Sequence, residues 1–271
     1  MKYCTLNTHS LLGEDYERKR EVFVDTICEE LPDIIALQEV NQSIADDIVT
    51  DTLAGYCGTA SLKSSNYALS VARMLANRGV PYYWYWEPCK IGYDCYDEGL
   101  ALFSRHPIKD TEAFYISSTQ DYTDWRARKA LGISIENAWY YSVHMGWWNA
   151  DHEPFLTQWK TLMSHVMIHD TETIYLMGDF NAPDKKRMES YDTITASWID
   201  LYHQAKVRYG RNTTAEVIDG WKDKTTDKGM RIDYIFCNRP VPIKEYRILW
   251  DGQSQPTVSD HFGIMIEEGE Y

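Results

Sequence analysis

The sequence predicts a single α/β domain in which short buried strands alternate with amphipathic helices. Two apolar runs, residues 34–37 and 174–177, end abruptly in polar side chains, as expected for buried strands whose ends carry a functional site. Other segments repeat apolar residues at helical spacing. No Pro/Gly/Ser-rich linker, low-complexity tract or internal repeat divides the chain. We therefore expect one domain that spans residues 1–271.

The charge balance limits the partners of this protein. With 41 acidic and 27 basic residues, the formal net charge is −14. Proteins that bind nucleic acid obtain most of their affinity by neutralising phosphates with Lys and Arg. This chain would repel a polyanion at long range, so nucleic acid is an unfavoured partner, although a local basic groove is still compatible with the sequence.

Nothing in the sequence predicts export or membrane insertion. Strand-like residues follow Met1 almost at once, and no apolar run approaches the ~20 residues of a membrane span. The six cysteines form no Cys-x-x-Cys pair, and several lie in predicted strands or helices, so we interpret them as reduced thiols. We expect a cytoplasmic protein, with neither a membrane nor an obligate protein partner.

The first part of the chain predicts two strands, each ending in candidate ligands. Residues 3–7 form the first strand, and an apolar residue at every fourth position over 23–31 predicts the helix that follows. Residues 34–37 form the second strand, which ends next to Glu39. A carboxylate directly after a buried strand needs a charge partner, and a divalent metal ion is the usual one in such a site. Residues 66–79 predict another helix.

The middle of the chain is rich in aromatic residues. Seven lie within residues 82–96, where we expect a strand packed on the core, although some of the rings could line a cleft. A strand over 139–144 ends in His144, and a lone histidine there is often only a satisfied surface residue. Trp147 and Trp148 follow on a loop, where exposing an indole is costly without a function.

The last part of the chain carries the plainest chemical pattern. After the run 174–177, Gly178 allows a close turn, and Asp179 and Asn181 lie two residues apart, so on extended backbone they share a face. A carboxylate and an amide that converge in this way suit a hard cation, a water molecule and a phosphate. The alternative is a turn that these side chains only cap. Residues 199–209 predict a helix.

Six features in this order resemble the endonuclease/exonuclease/phosphatase superfamily, the group that contains DNase I. They are a histidine at position 144 and the segments 5–9, 34–40, 174–181, 231–236 and 259–261. The resemblance covers nearly the whole chain. It implies a four-layer α-β-β-α sandwich, in which two packed, mostly antiparallel β-sheets are flanked by helices.

The resemblance also implies a role for each matching residue. Asn7, Glu39 and Asp260 would hold a metal ion, and because the set contains oxygen ligands and no cysteine, it suits Mg²⁺ or Mn²⁺ better than Zn²⁺. The remaining roles concern catalysis. In the family pattern Asp179, oriented by Asn181, positions or deprotonates the attacking water, His144 and His261 bind the phosphoryl oxygens, Glu98 orients His144, and Asp233 holds His261 in its tautomer.

Three further positions bear on the substrate. Arg128 is best placed to meet a phosphate bidentately, with a solvated basic turn as the alternative. His9 stands where several members of the superfamily have an acidic second metal ligand, which puts a two-metal site in doubt. The segment 142–148 also replaces the small polar loop of the nuclease branches with one that contains Trp147 and Trp148.

The superfamily pattern implies phosphoester hydrolysis and leaves the substrate open. Residues 5–10, 93–99, 144–149 and 228–238 resemble a bacterial branch that includes maltose 6'-phosphate phosphatases. A small phosphorylated sugar fits the acidic charge and the aromatic loops. The alternative is a Mg²⁺-dependent phosphodiesterase or endonuclease. A binding module without catalysis is disfavoured, since a competent residue occupies every expected catalytic position.

Overall fold

The structure is a computed structural model in which two β-sheets pack face to face between layers of helices. It describes residues 1–51, 53–147, 150, 152–215 and 229–270. In chain order its strands are β1 (Lys2–Asn7), β2 (Ile34–Ser43), β3 (Tyr83–Gly92), β4 (Tyr96–Ser104), β5 (Asp110–Tyr115), β6 (Lys129–Ile135), β7 (Ala138–His144), β8 (Thr173–Asp179), β9 (Ile199–Asp200), β10 (Ala205–Tyr209), β11 (Asp233–Cys237), β12 (Ile243–Leu249) and β13 (Gly263–Glu268).

The helices lie between these strands in the chain. They are α1 (Tyr16–Glu30), α2 (Tyr67–Asn77), α3 (Phe155–Val166), α4 (Ser190–Thr195) and α5 (Leu201–Gln204), with 3₁₀ turns at Ser10–Leu12 and Met167–His169. One sheet has the strand order β10-β12-β13-β1-β2-β4-β3, and the other has the order β5-β6-β7-β8-β11-β9. Most neighbouring strands are antiparallel, so the predicted sandwich of two mostly antiparallel sheets is confirmed.

Side-chain alternation along the central strands explains the layers. In β2, Ile34 and Ala36 point into the core between the sheets, whereas Ile35 and Leu37 point to the opposite face, where α1 and α2 pack. The second sheet repeats this arrangement, with α3 and α4 covering its outer face. Each central strand is therefore buried on both faces, which is why its sequence reads as an unbroken apolar run.

One predicted element is wrong. The sequence predicts a helix over residues 199–209, but only the single turn of α5 is helical, and β10 follows it. β10 pairs in parallel with β12, and that pairing overrides the local helical pattern. None of the helices in the described part of the chain is long and apolar enough to cross a membrane.

Two parallel strand pairs bring functional side chains to one end of the sandwich. β1 and β2 are parallel with Asn7 opposite Gln38, and β7 and β8 are parallel with His144 opposite Asp179. The carboxyl ends of parallel strands lie at the same edge of a sheet. The antiparallel strand β11 begins at this edge too, because its first residue, Asp233, lies opposite Asp179.

Polar contacts join the two sheets directly beneath this end. The Gln38 side chain donates from Nε2 to Ser142 Oγ at 2.9 Å, and Ser142 Oγ donates to the Leu37 carbonyl at 3.0 Å. Gly178 makes room for them, because a Cβ at this position would lie 2.2 Å from the Val143 carbonyl oxygen and 2.8 Å from Gln38 Nε2.

We predict that Gly178→Ala is strongly destabilising. The backbone φ of Gly178 is 139°, and the added methyl would clash with backbone of the neighbouring strand. Gly79 is the matched control, since its φ is also positive, at 79°, but no atom of the described residues lies within 4 Å of the place a Cβ would take. In urea denaturation, Gly79→Ala should cost about 1–2 kcal/mol from the left-handed backbone alone. Gly178→Ala should cost clearly more, and equal losses would show that the close strand contact does not constrain this position.

Candidate active site

Asp179 is the centre of the candidate site. It is the last residue of β8, and its side chain is only 2% exposed. Its Oδ1 accepts the backbone N–H of Asn181 at 2.8 Å, and its Oδ2 accepts Asn7 Nδ2 at 3.2 Å. Asn181 also donates from Nδ2 to the Met145 carbonyl at 2.9 Å. Asn181 therefore contacts both the Asp179 carboxylate and the start of the loop after His144.

Two imidazoles flank Asp179. His144 Nε2 lies 3.7 Å from Asp179 Oδ2, and His261 Nε2 lies 3.9 Å from the same oxygen. Behind His261, the predicted partner is in place, because His261 Nδ1 lies 2.9 Å from Asp233 Oδ2. A carboxylate on Nδ1 fixes the tautomer and directs Nε2 towards the site.

The surroundings give these groups different charge states. Burial, together with the negative charge of Asp233, raises the pKa of Asp179 to about 7. Burial lowers the pKa of His261, but the carboxylates of Asp233 and Asp179 outweigh it and hold that pKa well above its usual range. Burial lowers the pKa of His144 well below its usual range, and the guanidinium of Arg128 lowers it further. The surroundings therefore favour the charged form of His261 and the neutral form of His144.

A second acidic group lies next to this centre. Glu39 accepts Asn7 Nδ2 at 2.9 Å, and its other oxygen lies 3.5 Å from His9 Nδ1. Asp260 Oδ1 lies 3.8 Å from the same nitrogen. Burial raises the pKa of Glu39, but His9, His144 and Asn7 outweigh it and lower that pKa below its usual range.

The donor set fits a divalent cation at Glu39 and Asp260. Both are carboxylates, as hard cations prefer. Asn7 differs from the predicted ligand role, because its Nδ2 faces Glu39 and Asp179 while its Oδ1 accepts the His9 backbone N–H at 3.3 Å. Ligand atoms of Asp179, Asp233 and His261 also lie within 4.8 Å of one another. Since Asp233 already holds His261 Nδ1, we interpret that group as an orienting pair beside the acceptor Asp179.

Sequence and structure comparisons agree with this geometry. The Endonuclease/Exonuclease/phosphatase family matches residues 4–261. The chain belongs to this family. Its members hydrolyse phosphoesters and generally use divalent metal ions. No curated protein matches the sequence.

Solved structures of the family share the fold. A family protein from Leptotrichia buccalis is 29% identical, with a TM-score of 0.88 and full coverage of both chains. The mannosyl-6-phosphatase of Bacteroides thetaiotaomicron is 17% identical, with a TM-score of 0.67 and full coverage of both chains. A truncated Caenorhabditis elegans TDP2 is 15% identical, with a TM-score of 0.64, and the match covers 99% of this chain and 97% of that one.

One predicted contact of the family pattern is wrong. The pattern implies that Glu98 orients His144, but its carboxylate pairs instead with Lys90 Nζ at 3.1 Å, and within the described residues no hydrogen bond joins it to His144. Glu98 and His144 do line the same small cavity together with Arg128. The buried Lys90 takes the carboxylate because an unpaired ammonium would be costly at this depth. Lys90 was not among the site residues predicted from the sequence. A lysine within a strand rich in aromatic residues is a sequence feature that could have indicated a buried charge there.

Arg128 lies beside His144 but is more deeply buried than a solvated turn would be. Its Nη1 donates to the carbonyls of Trp125 and Ala127 at 2.9 and 3.0 Å. Its buried Nε has no hydrogen-bond partner among the described residues, and no partner of Nη2 is found there either. The Nε–Nη2 edge is the edge that guanidinium groups use for bidentate contacts with phosphates and carboxylates.

The predicted aromatic loop is only partly described. Trp147 is half-buried and packs against Ile232, whereas Trp148 lies outside the described residues. Within the part of the chain that the structure describes, a different indole is exposed on a loop that contacts the site. Trp125 is 57% exposed, with its ring in contact with His152. Lys90 Nζ and Arg128 Nη1 both donate to its carbonyl, so its loop is fixed beside the site.

We predict that Asp233→Asn lowers kcat by about 10² or more, because His261 loses the carboxylate that orients and charges it. Asp33→Asn is the matched control, since Asp33 Oδ1 lies 3.3 Å from His106 Nε2 in an aspartate–histidine pair outside the site. Steady-state kinetics of both variants should show a loss in the first and little change in the second. Full turnover by Asp233→Asn would mean that the pair has no part in catalysis.

Proposed function

We propose that this protein is a divalent-metal-dependent phosphomonoesterase that acts on a small phosphorylated sugar. The observation that carries the proposal is the buried Asp179 carboxylate between two imidazoles, with His144 Nε2 at 3.7 Å and His261 Nε2 at 3.9 Å from its Oδ2. A carboxylate poised near neutral pH can accept a proton from water, and flanking N–H donors can bind the oxygens of a phosphoryl group.

Each residue of the site has a separate task in the proposed reaction. Asp179 takes the proton from the attacking water, for which a pKa of about 7 is well suited. Charged His261 donates from Nε2 to a phosphoryl oxygen, and neutral His144 adds a second hydrogen bond. The free edge of Arg128 lies near enough to His144 to share in binding the same group. Water attacks the phosphorus directly as the bond between phosphorus and the sugar oxygen breaks. The sugar oxygen takes a proton from solvent and leaves as the alcohol, Asp179 returns its proton to solvent, and no covalent phospho-enzyme forms.

The metal ion would be held by Glu39 and Asp260. When bound, it supplies positive charge that polarises the phosphoryl group and stabilises charge on its oxygens. Mg²⁺ is the ion expected from the family, with Mn²⁺ as the alternative.

Three observations support a small sugar phosphate as substrate. The net charge of −14 disfavours polyanions. The exposed Trp125 offers an aromatic face of the kind on which sugar rings stack, and its loop is fixed beside the phosphate-binding groups. A family member of similar fold is a mannosyl-6-phosphatase. The branch resemblance to maltose 6'-phosphate phosphatases points the same way.

The second candidate is a phosphodiesterase, since TDP2 has a similar fold. A continuous basic groove leading to Asp179 would favour it. Three basic side chains near His144, those of Lys90, Arg128 and Lys129, are engaged by the protein instead. Lys90 and Arg128 are both 6% exposed, and Lys129 Nζ pairs with Glu87 at 2.6 Å. This arrangement favours one terminal phosphate over an extended phosphate backbone.

A substrate panel tests the proposal. We expect phosphate release from hexose and disaccharide 6-phosphates with Mg²⁺ or Mn²⁺, no release with EDTA, and no release by Glu39→Gln, which keeps the shape of the side chain but removes its charge. Bis-p-nitrophenyl phosphate and supercoiled plasmid should be poor substrates. Faster hydrolysis of either diester than of every sugar phosphate would replace the proposal with the second candidate, and full activity in EDTA would refute metal dependence.

We predict that Trp125→Ala raises KM for the preferred sugar phosphate several-fold, by loss of a stacking contact worth about 1 kcal/mol. Turnover of p-nitrophenyl phosphate should change little, because the phosphate-binding groups are untouched. Tyr209→Ala is the control, as Tyr209 is similarly exposed, at 56%, on a strand at the edge of its sheet.

The variant Trp147→Ala tests whether Trp125 or Trp147 is the indole that stacks on the sugar. Because Trp147 packs on Ile232, its loss should lower the melting temperature and reduce activity on both esters alike. If Trp125→Ala affects both esters equally and Trp147→Ala affects only the sugar phosphate, then the sugar stacks on the loop after His144, which is the loop that the sequence favours.

A further inference from the structure

His9 lies between the two carboxylates of the candidate metal site. Its Nδ1 is 3.5 Å from Glu39 Oε2 and 3.8 Å from Asp260 Oδ1, and its side chain is only 18% exposed. The three side chains come from distant parts of the chain: His9 follows β1, Glu39 lies in β2, and Asp260 precedes β13. An imidazole nitrogen therefore faces the same space as both acidic groups.

The backbone holds this arrangement in an uncommon conformation. His9 has φ 49° and ψ −4°, and the next residue, Ser10, has φ 23°. Glu39 is also left-handed, with φ 52°. Such conformations in residues other than glycine are strained and tend to occur at functional sites. The Asn7 side chain supports the turn by accepting the His9 backbone N–H.

The two distances are long for hydrogen bonds to a charged imidazole. Charge-assisted N–H···O contacts are usually about 2.7–2.9 Å long. By contrast, two atoms that each bind one ion at about 2.1 Å lie roughly 3.0–3.5 Å apart. The distance to Glu39, 3.5 Å, lies at the upper end of this second range, and the distance to Asp260, 3.8 Å, lies 0.3 Å beyond it. The imidazole nitrogen of His9 faces the two carboxylates. The Asn7 Oδ1 does not, because it accepts the His9 backbone N–H.

We infer that His9 binds the divalent metal ion through Nδ1, together with the carboxylates of Glu39 and Asp260. The donor set is then mixed, with one imidazole nitrogen and carboxylate oxygens. Carboxylate and water ligands suit Mg²⁺, whereas imidazole favours later transition metals, so the site prefers Mn²⁺ or Co²⁺ to Mg²⁺. The inference shares metal dependence with the proposed function but does not require a sugar phosphate as substrate.

Metal binding to the whole protein tests the inference without any measurement of activity. Mn²⁺ bound to the wild type should show, in electron spin echo spectra, the modulation of a directly bound imidazole nitrogen. His9→Asp should lose that modulation. The variant keeps a residue that tolerates left-handed backbone, so far-UV circular dichroism should show an unchanged fold. His106→Asn is the matched control, because His106 also faces a carboxylate, that of Asp33, but outside the site. It should keep the modulation.

Calorimetry with Mg²⁺ and Mn²⁺ gives a second reading. The wild type should bind Mn²⁺ more tightly than Mg²⁺. His9→Asp should reduce the ratio of the two dissociation constants by about tenfold, which is the lower end of the loss in affinity when a partner is removed from a metal site. Nitrogen modulation that persists in His9→Asp, or that is absent from the wild type with Mn²⁺ bound, would overturn the inference and leave the proposed function intact. No binding of either ion to the wild type would overturn both.

Discussion

The buried carboxylate of Asp179 is the constraint on which the rest of the site depends. A charged group at this depth is costly unless other groups bind its oxygens. Asn7 from the first sheet and the backbone of Asn181 do so, and two imidazoles lie close by. These partners can converge only because both sheets have a parallel strand pair at their centre, so that four strands end at one place. The hydrogen bond from Asn7 to Asp179 joins the two sheets at that point.

This convergence explains why two chemically identical histidines differ. His144 is opposite Asp179 in a parallel register, and burial, followed by the positive charge of Arg128, lowers the pKa of its imidazole. His261 instead has Asp233 behind it, because β11 runs antiparallel to β8 and starts at the same edge. The direction of β11 thus places a carboxylate behind His261, which raises the pKa of that imidazole. One neutral and one charged donor around a single carboxylate form an arrangement that can bind an anion while the carboxylate still accepts a proton.

The strand ends could be predicted from the sequence because each apolar run stops at a polar residue, and the pairing of Asp233 with His261 follows from the family pattern placed on those ends. The side-chain partners of Glu98 and Arg128 could not. Both depend on the loop that carries Trp125, whose carbonyl accepts Lys90 and Arg128. The hydrophobic periodicity of the sequence does not predict where the Trp125 carbonyl lies. β10 was missed for a related reason, since its strand pairing with β12 involves residues far along the chain.

The aromatic composition shows how exposure, rather than residue type, separates structural from functional candidates. In β3, Trp84 and Trp86 are fully buried and pack in the core, so the densest aromatic run serves folding. Trp125 is isolated in sequence, yet its indole is exposed because two buried cations hold its backbone. Those cations are then held inside the protein beside His144. Under the function proposed above, a phosphate would have to leave water to reach them, which a terminal phosphate can do without bringing charged neighbours, and the exposed indole would recognise the group to which that phosphate is attached.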